Sequence, residues 1–243
     1  LLRWNLPFFP WNESSGKGLG FEFKASQNQK KVLTGHASGI ITMNIAEADD
    51  VERAMAKKQM DEVYRTFLGH FRHEIGHYYW EVLVAGSDWL ERFRSVFGDE
   101  RINYSDALEL HYRNGPPDNW QKNYISSYAS SHPWEDWAES WAHYLHMVDT
   151  LETAYAFGLT INPKLKGCPE NISTLISEDA YRCSDFSQLF KQWIPLSLAL
   201  NSLNRSMGLP DTYTFVISPS VRKKLAFVHE LIRNRVSDSK QTV

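Results

Sequence analysis

Apolar residues recur at Phe67, Phe71, Ile75, Tyr78 and Val82. These three- and four-residue steps predict a helix with one buried stripe. Helical pattern extends back to Ala46-Glu-Ala-Asp-Asp50, whose acidic residues suit a helix N-terminus, so helix is expected from there to Leu83 with a break near Gly69. A second stripe, Trp134, Trp137, Trp141, Tyr144, Leu145 and Val148, predicts a helix over residues 134–150. Shorter helices are expected over 88–97 and 104–113, before the breaker Asn114-Gly-Pro-Pro-Asp118. Residues 186–207 read as a helix disturbed at Pro195. The last helix takes Ser218 as cap and Pro219 in its first turn, ending near Arg235. Between 158 and 183, Asn-Pro and Gly-Cys-Pro signal turns.

The N-terminal part reads differently. Its first thirty residues are irregular, with Phe8, Phe9, Trp11, Phe21 and Phe23 expected to dock on the body. Lys31-Val-Leu33, a turn over Thr34–Gly39, and Ile40–Ile45 predict a β-hairpin. The expected product is an α+β, predominantly helical domain spanning 1–243. Within it, 1–45 form the irregular segment and hairpin, 46–157 carry the long helices, and 158–243 form a C-terminal helical part.

Polar positions on the two long helices carry the candidate chemistry. Residues 73–77 read His-Glu-Ile-Gly-His. On a helix, His73 and His77 share one face and can offer two imidazole nitrogens to one ion. Glu74 is rotated about a quarter turn from that line and flanks the ion, where a base takes a proton from water. The alternative is a pair of structural histidines on a core helix. A zinc hydrolase needs a third protein ligand and one open position. Glu135, Glu139, Ala142 and His146 form a stripe on the second helix, and the small Ala138 and Ala142 would let it approach a neighbour closely. Either glutamate is a candidate, against the alternative that both are solvated. His70 reads as structural, His143 and His146 as supporting groups, and His132 as a substrate contact.

Composition narrows the class. At 243 residues with 42% hydrophobic and 14% aromatic content, the chain has length for a real core. A net charge of −3 offers no basic stripe for nucleic acid, and no stretch is apolar long enough to span a bilayer. Cys168 and Cys183 read as free thiols in a reducing cytoplasm, which makes a cytoplasmic location the expectation. The start, Leu-Leu-Arg-Trp, has neither Met nor a signal-peptide pattern, so the chain reads as a piece of a longer protein.

HExxH followed on a later helix by Glu-x-x-x-Glu resembles the gluzincin metallopeptidases such as thermolysin. Tyr128–Glu139 resembles the corresponding part of anthrax lethal factor's peptidase domain, where a Tyr precedes the ligand Glu by seven residues. More closely, Thr34–Asp49, Gly69–Trp80, His132–His146 and Asn201–Pro210 resemble the bacterial family of "putative zinc-binding metallopeptidases". The cysteine-rich zinc ribbon that often opens its members is not in this sequence.

The resemblance implies a zincin or gluzincin-like fold and one zinc per chain held by His73, His77 and Glu135. It implies peptide or protein substrates cleaved at the amide bond, with zinc polarising the carbonyl and Glu74 as general base. Tyr128 would donate to the oxyanion, although a Tyr-rich segment also suits packing. Glu139 would hold an imidazole, that of His73, with His143 as a further supporting residue. In such peptidases an edge strand commonly receives extended substrate, a role open to Ile40–Ile45 beside plain support of the helix. The alternative function is a zinc-containing binding or sensor module that keeps the fold with little turnover.

Overall fold

The computed structural model describes residues 1–26, 32–49, 66–164, 167 and 172–241, with side chains described only to Arg235. Three strands form a sheet in the order β1-β3-β2, with β1 Gly20–Lys24, β2 Gly35–Ala37 and β3 Ile40–Asn44. Strand β1 runs parallel to β3, pairing Gly20 with Ile40, while β2 is antiparallel, pairing His36 with Ile41. The expected hairpin exists, but its first strand lies inside the stretch expected to be the turn. The turn is Ser38-Gly39 alone, both at positive φ (48° and 82°), the two-residue geometry that matches strand twist. Gly39 also abuts Gly18, where a Cβ would lie 2.0 Å from the carbonyl oxygen.

Two other expectations for this half are corrected. Residues 20–24 are a strand, because β3 supplies a parallel partner that local composition does not reveal. The docking aromatics are only in part the expected ones, since Trp11 is half-buried beside Gly20 and Gly39. Phe8, Phe9 and Phe23 are well exposed, whereas Trp4 is buried, stacked on Tyr144 and packed against Tyr181. Phe21 is partly covered by stacking on Phe71 at 5.1 Å. After β3, Ile45–Ala48 makes one 3₁₀ turn capped by the Asn44 side chain. The expected helix over 50–65 lies outside the described residues.

The helices follow as α1 Phe67–Leu83, α2 Leu90–Phe97, α3 Tyr104–Asn114, α4 Pro133–Ala156, α5 Phe186–Ser206 and α6 Pro219–Gln241. Helix α5 runs unbroken through Pro195. Thr160–Ile161 and Thr174–Leu175 form a small antiparallel pair, β4 and β5, where only turns were expected. The Ser218 hydroxyl accepts the Val221 N–H, as expected of a cap. Cys183 is a buried free thiol, and Cys168 lies outside the described residues.

Helix α4 is the axis of the core. One side carries Trp137 into a cluster with Phe93, Phe97 and Phe227 from α2 and α6. A buried Asp136–Lys224 ion pair at 2.6 Å ties α4 to α6. The other side meets α1, where Ile75 and Tyr78 of the expected stripe are buried, but the buried face extends beyond that stripe to polar residues. Phe67, Phe71 and Val82 are only half-buried, whereas His73, Glu74, Ile75 and Gly76 are buried. Polar groups occupy the buried face because they satisfy one another across the interface.

Gly76 allows this approach. A Cβ there would lie 3.1 Å from Ala138 Cα and 3.2 Å from two atoms of Trp141. Its carbonyl accepts the indole N–H of Trp137 at 2.8 Å. Gly76→Val is therefore expected to destabilise the fold by about 1–3 kcal/mol through overpacking. It should also lower metal content, because the helices that carry the donors are wedged apart. Chemical denaturation and metal analysis of the purified variant check this; unchanged stability would mean the helices do not touch.

Candidate metal centre

The α1–α4 contact brings three donor atoms together. His73 Nε2 lies 2.9 Å from Glu135 Oε2 and 3.2 Å from His77 Nε2, and His77 Nε2 lies 3.5 Å from the same carboxylate oxygen. Zinc–nitrogen and zinc–oxygen bonds near 2 Å at tetrahedral angles set neighbouring donors about 3.3 Å apart. The observed triangle matches that edge length. Its chemistry also fits a cation, since two imidazoles and a carboxylate face one another in a buried place. Among the described residues these three are the group of His, Cys, Asp and Glu side chains that could hold a metal ion.

Two of the three donors, His73 and Glu135, are steadied from behind. Glu139 Oε1 lies 2.8 Å from His73 Nδ1, leaving Nε2 turned toward Glu135 and His77. The Ser126 hydroxyl donates to Glu139 Oε2 at 2.7 Å. Tyr104 OH donates to Glu135 Oε1 at 2.6 Å. Burial alone would make His73 a weaker base, but Glu135 and Glu139 on either side overcome it and raise its pKa well above the ordinary value. Burial also opposes ionisation of Glu139, yet the His73 ring beside it brings its pKa down to about 2. Positive charge is favoured here, and among the described residues His73 sits between both carboxylates.

Glu74 is buried on α1, next to His73, and lines the same cleft as the three donors. Burial opposes its ionisation, but His70 and the two neighbouring histidines lower its pKa below the usual carboxylate value. Tyr128 starts a 3₁₀ turn ahead of α4, its ring 6.0 Å from that of His73. Desolvation and then the Glu135 charge push its hydroxyl well above its ordinary pKa, so it stays a proton donor.

His143 lies one turn beyond Glu139 on α4. Its Nδ1 pairs with Tyr213 OH at 3.0 Å and its ring meets Phe215 at 4.3 Å. His146 pairs with Arg72 at 2.6 Å. The expectation that His132 meets substrate is corrected, because it is buried as the cap of α4. Its Nδ1 accepts the Trp134 N–H at 3.1 Å, and Nε2 faces the Ile102 carbonyl at 3.2 Å.

Several residues at the site were not anticipated. Tyr104, Ser126 and His36 come from other elements, and His36 lies parallel to His77 with ring centroids 6.2 Å apart. Only Tyr104 had a legible signal, an Asn103 cap before a helix, and that signal speaks of the helix and not of the hydroxyl. A cleft of about 1490 Å³ runs over the donors between the β2 edge, with His36 and Ala37, and the α3 wall, with Leu108 and Tyr112.

A buried His–His–carboxylate cluster flanked by a glutamate defines a candidate divalent-metal centre. The chain belongs to the family described as "Putative zinc-binding metallo-peptidase", which it matches over residues 1–231. It is also similar to uncharacterized proteins of Mycobacterium bovis and of two Mycobacterium tuberculosis strains. Each is 45% identical over 228 residues, covering 93% of this chain, which spans 64% of the relatives' length. No solved structure matches the chain. Among the described residues no helix is long and apolar enough to cross a membrane.

The buried His143 gives a pH test of the packing of α4 against Tyr213 and Phe215. Burial lowers its pKa from 6.5 to about 4, so it is neutral in the fold and must gain a proton on unfolding in acid. Its contribution is complete above the unfolded value of about 6.5 and is lost as pH falls toward 4. His143→Gln should flatten the fall in unfolding free energy across that window by about 1.4 kcal/mol per pH unit. Urea melts at matched metal content would show this; parallel curves would mean that His143 is solvated.

Proposed function

We propose that this chain is a zinc-dependent peptidase that hydrolyses amide bonds in peptide or protein substrates. The observation that carries the reading is the His73–His77–Glu135 triangle, with donor spacings of 2.9–3.5 Å, and the buried Glu74 beside it. A site that only held metal for structure would fill four positions with protein and would need no adjacent base. Membership of a zinc-binding metallopeptidase family supports the same reading.

In this reading His73, His77 and Glu135 hold one zinc ion. When bound, zinc supplies Lewis acidity that polarises the scissile carbonyl and makes the attacking water a stronger acid. Glu74 takes a proton as the water oxygen bonds to the carbonyl carbon. It delivers that proton to the amide nitrogen as the C–N bond breaks, leaving a carboxyl product and an amine. Tyr128 donates a hydrogen bond to the oxyanion that develops on the carbonyl oxygen. Glu139 keeps His73 in one ring orientation, and Tyr104 does the same for the Glu135 carboxylate.

The sheet offers a place for extended substrate, though not on the strand first expected. Strand β3 is central, so its ladder is already paired on both sides. Strand β2 is one of the sheet's two edge strands, and His36, Ala37 and Ser38 line the cleft. An added peptide strand would pair there.

Two outcomes are expected. Glu74→Gln should bind zinc as the unaltered chain does while turnover of a cleavable peptide falls by at least about 100-fold. His77→Ala should lose zinc outright. Metal analysis beside a peptide-library cleavage assay separates the cases. A zinc-loaded chain that cleaves no library member would leave a binding or sensor module, and full activity in Glu74→Gln would remove the base.

A further inference from the structure

A second imidazole–carboxylate pair stands on the other side of Glu74. His70 lies one helical turn before it, with Nε2 3.2 Å from Glu74 Oε1 and Nδ1 2.6 Å from Glu47 Oε2. Glu47 belongs to the 3₁₀ turn that follows β3, and it is buried, although an acidic start of helix predicts a solvated residue. Its other oxygen accepts the Thr34 hydroxyl at 2.6 Å, and Thr34 Oγ1 accepts the Asn44 N–H at 3.0 Å. A continuous path of polar contacts thus runs from the end of β3 to Glu74.

We propose that His70 and Glu47 are positioning residues that hold Glu74 in the orientation its role as base requires. The inference rests on the peptidase reading for what Glu74 does, and on the contacts alone for how it is held. A glutamate on a helix has three rotatable side-chain bonds, and a base left to sample them spends little time aligned with the reacting proton. His70 engages Oε1, so the other oxygen is the one left for water. A lone imidazole contact would still let the ring flip. With a carboxylate at each ring nitrogen, rotation breaks both contacts at once, which is what Glu47 adds.

Among the described residues His70 is the side chain that hydrogen-bonds the Glu74 carboxylate. A pair that merely stapled the 3₁₀ turn to α1 would have no need to end on that oxygen. The arrangement repeats the Glu139–His73 pair with the roles of the ends exchanged. One glutamate steadies a histidine donor, and the other steadies the histidine that steadies the base.

The test uses the full zinc-loaded chain, with His70→Phe and Glu47→Gln as separate variants and His70→Gln as the conservative one that keeps a donor. Zinc content and KM should stay near those of the unaltered chain while kcat falls about 10–100-fold, with partial recovery in His70→Gln. Long-range ¹H–¹⁵N spectra of the imidazoles give a readout independent of turnover. The His70 ring nitrogens should shift in both Glu74→Gln and Glu47→Gln.

Unchanged kcat in Glu47→Gln, or His70 resonances indifferent to Glu74→Gln, would overturn the proposal. If His70→Phe does not fold, Glu47→Gln and the spectra decide. An unaltered chain that binds zinc but cleaves nothing would count against the peptidase reading, and the ring spectra would still decide the link.

Discussion

The centre depends on two helices touching at Gly76, where α1 has no side chain to hold α4 away. Gly76 sits against Ala138, and that contact fixes how far α1 and α4 stand apart. Side chains one turn away on each helix then meet across the gap at hydrogen-bonding distance. His73 reaches Glu135 and Glu139 from there, three residues back from Gly76. The glycine inside HExxH is a spacer in this chain. Its backbone carbonyl, which accepts from Trp137, adds a directional lock to a contact that is otherwise steric.

Close approach of buried charge is costly unless each group finds a partner. Here the costs cancel within the interface. Glu135 and Glu139 flank His73, Tyr104 and Ser126 donate to their outer oxygens, and His70 bridges Glu47 and Glu74. The raised pKa of His73 reflects the two carboxylates, Glu135 and Glu139, that flank it. A divalent cation among the three donors would offset their negative charge, so the arrangement suits a metal ion.

What could be read from the sequence follows how local each feature is. The HExxH spacing places His73, Glu74 and His77 on one helix by geometry alone, and the Glu135–Glu139 stripe is likewise a matter of helical period. The pairing of the two segments is not local. Small residues at Ala138 and Ala142 hinted at close packing, but the partner, Gly76, lies in the motif itself. Choosing Glu135 over Glu139 took a family resemblance, and the structure brings both to His73, one at each ring nitrogen. The β1–β3 pairing escaped because a parallel partner 20 residues on leaves no turn to read. Glu47 escaped for a related reason. An acidic run suggests a solvated helix start, and only the chain reversal after β3 turns that carboxylate inward.

On the proposed reading, the two walls of the cleft would govern different halves of the chemistry. Helix α4 and the loop before it hold the donors through Glu135, Glu139 and Ser126. The sheet side reaches Glu74 through Thr34, Glu47 and His70. Thr34 is the residue immediately before β2, an edge strand of the sheet whose residues line the cleft. The backbone that would receive an extended peptide and the hydroxyl that anchors Glu47 are thus one residue apart. Strand addition is governed by backbone register, and alignment of a base by a few tenths of an ångström. On the proposed reading, the adjacency of Thr34 to β2 would tie the position of the substrate's backbone to the aim of Glu74.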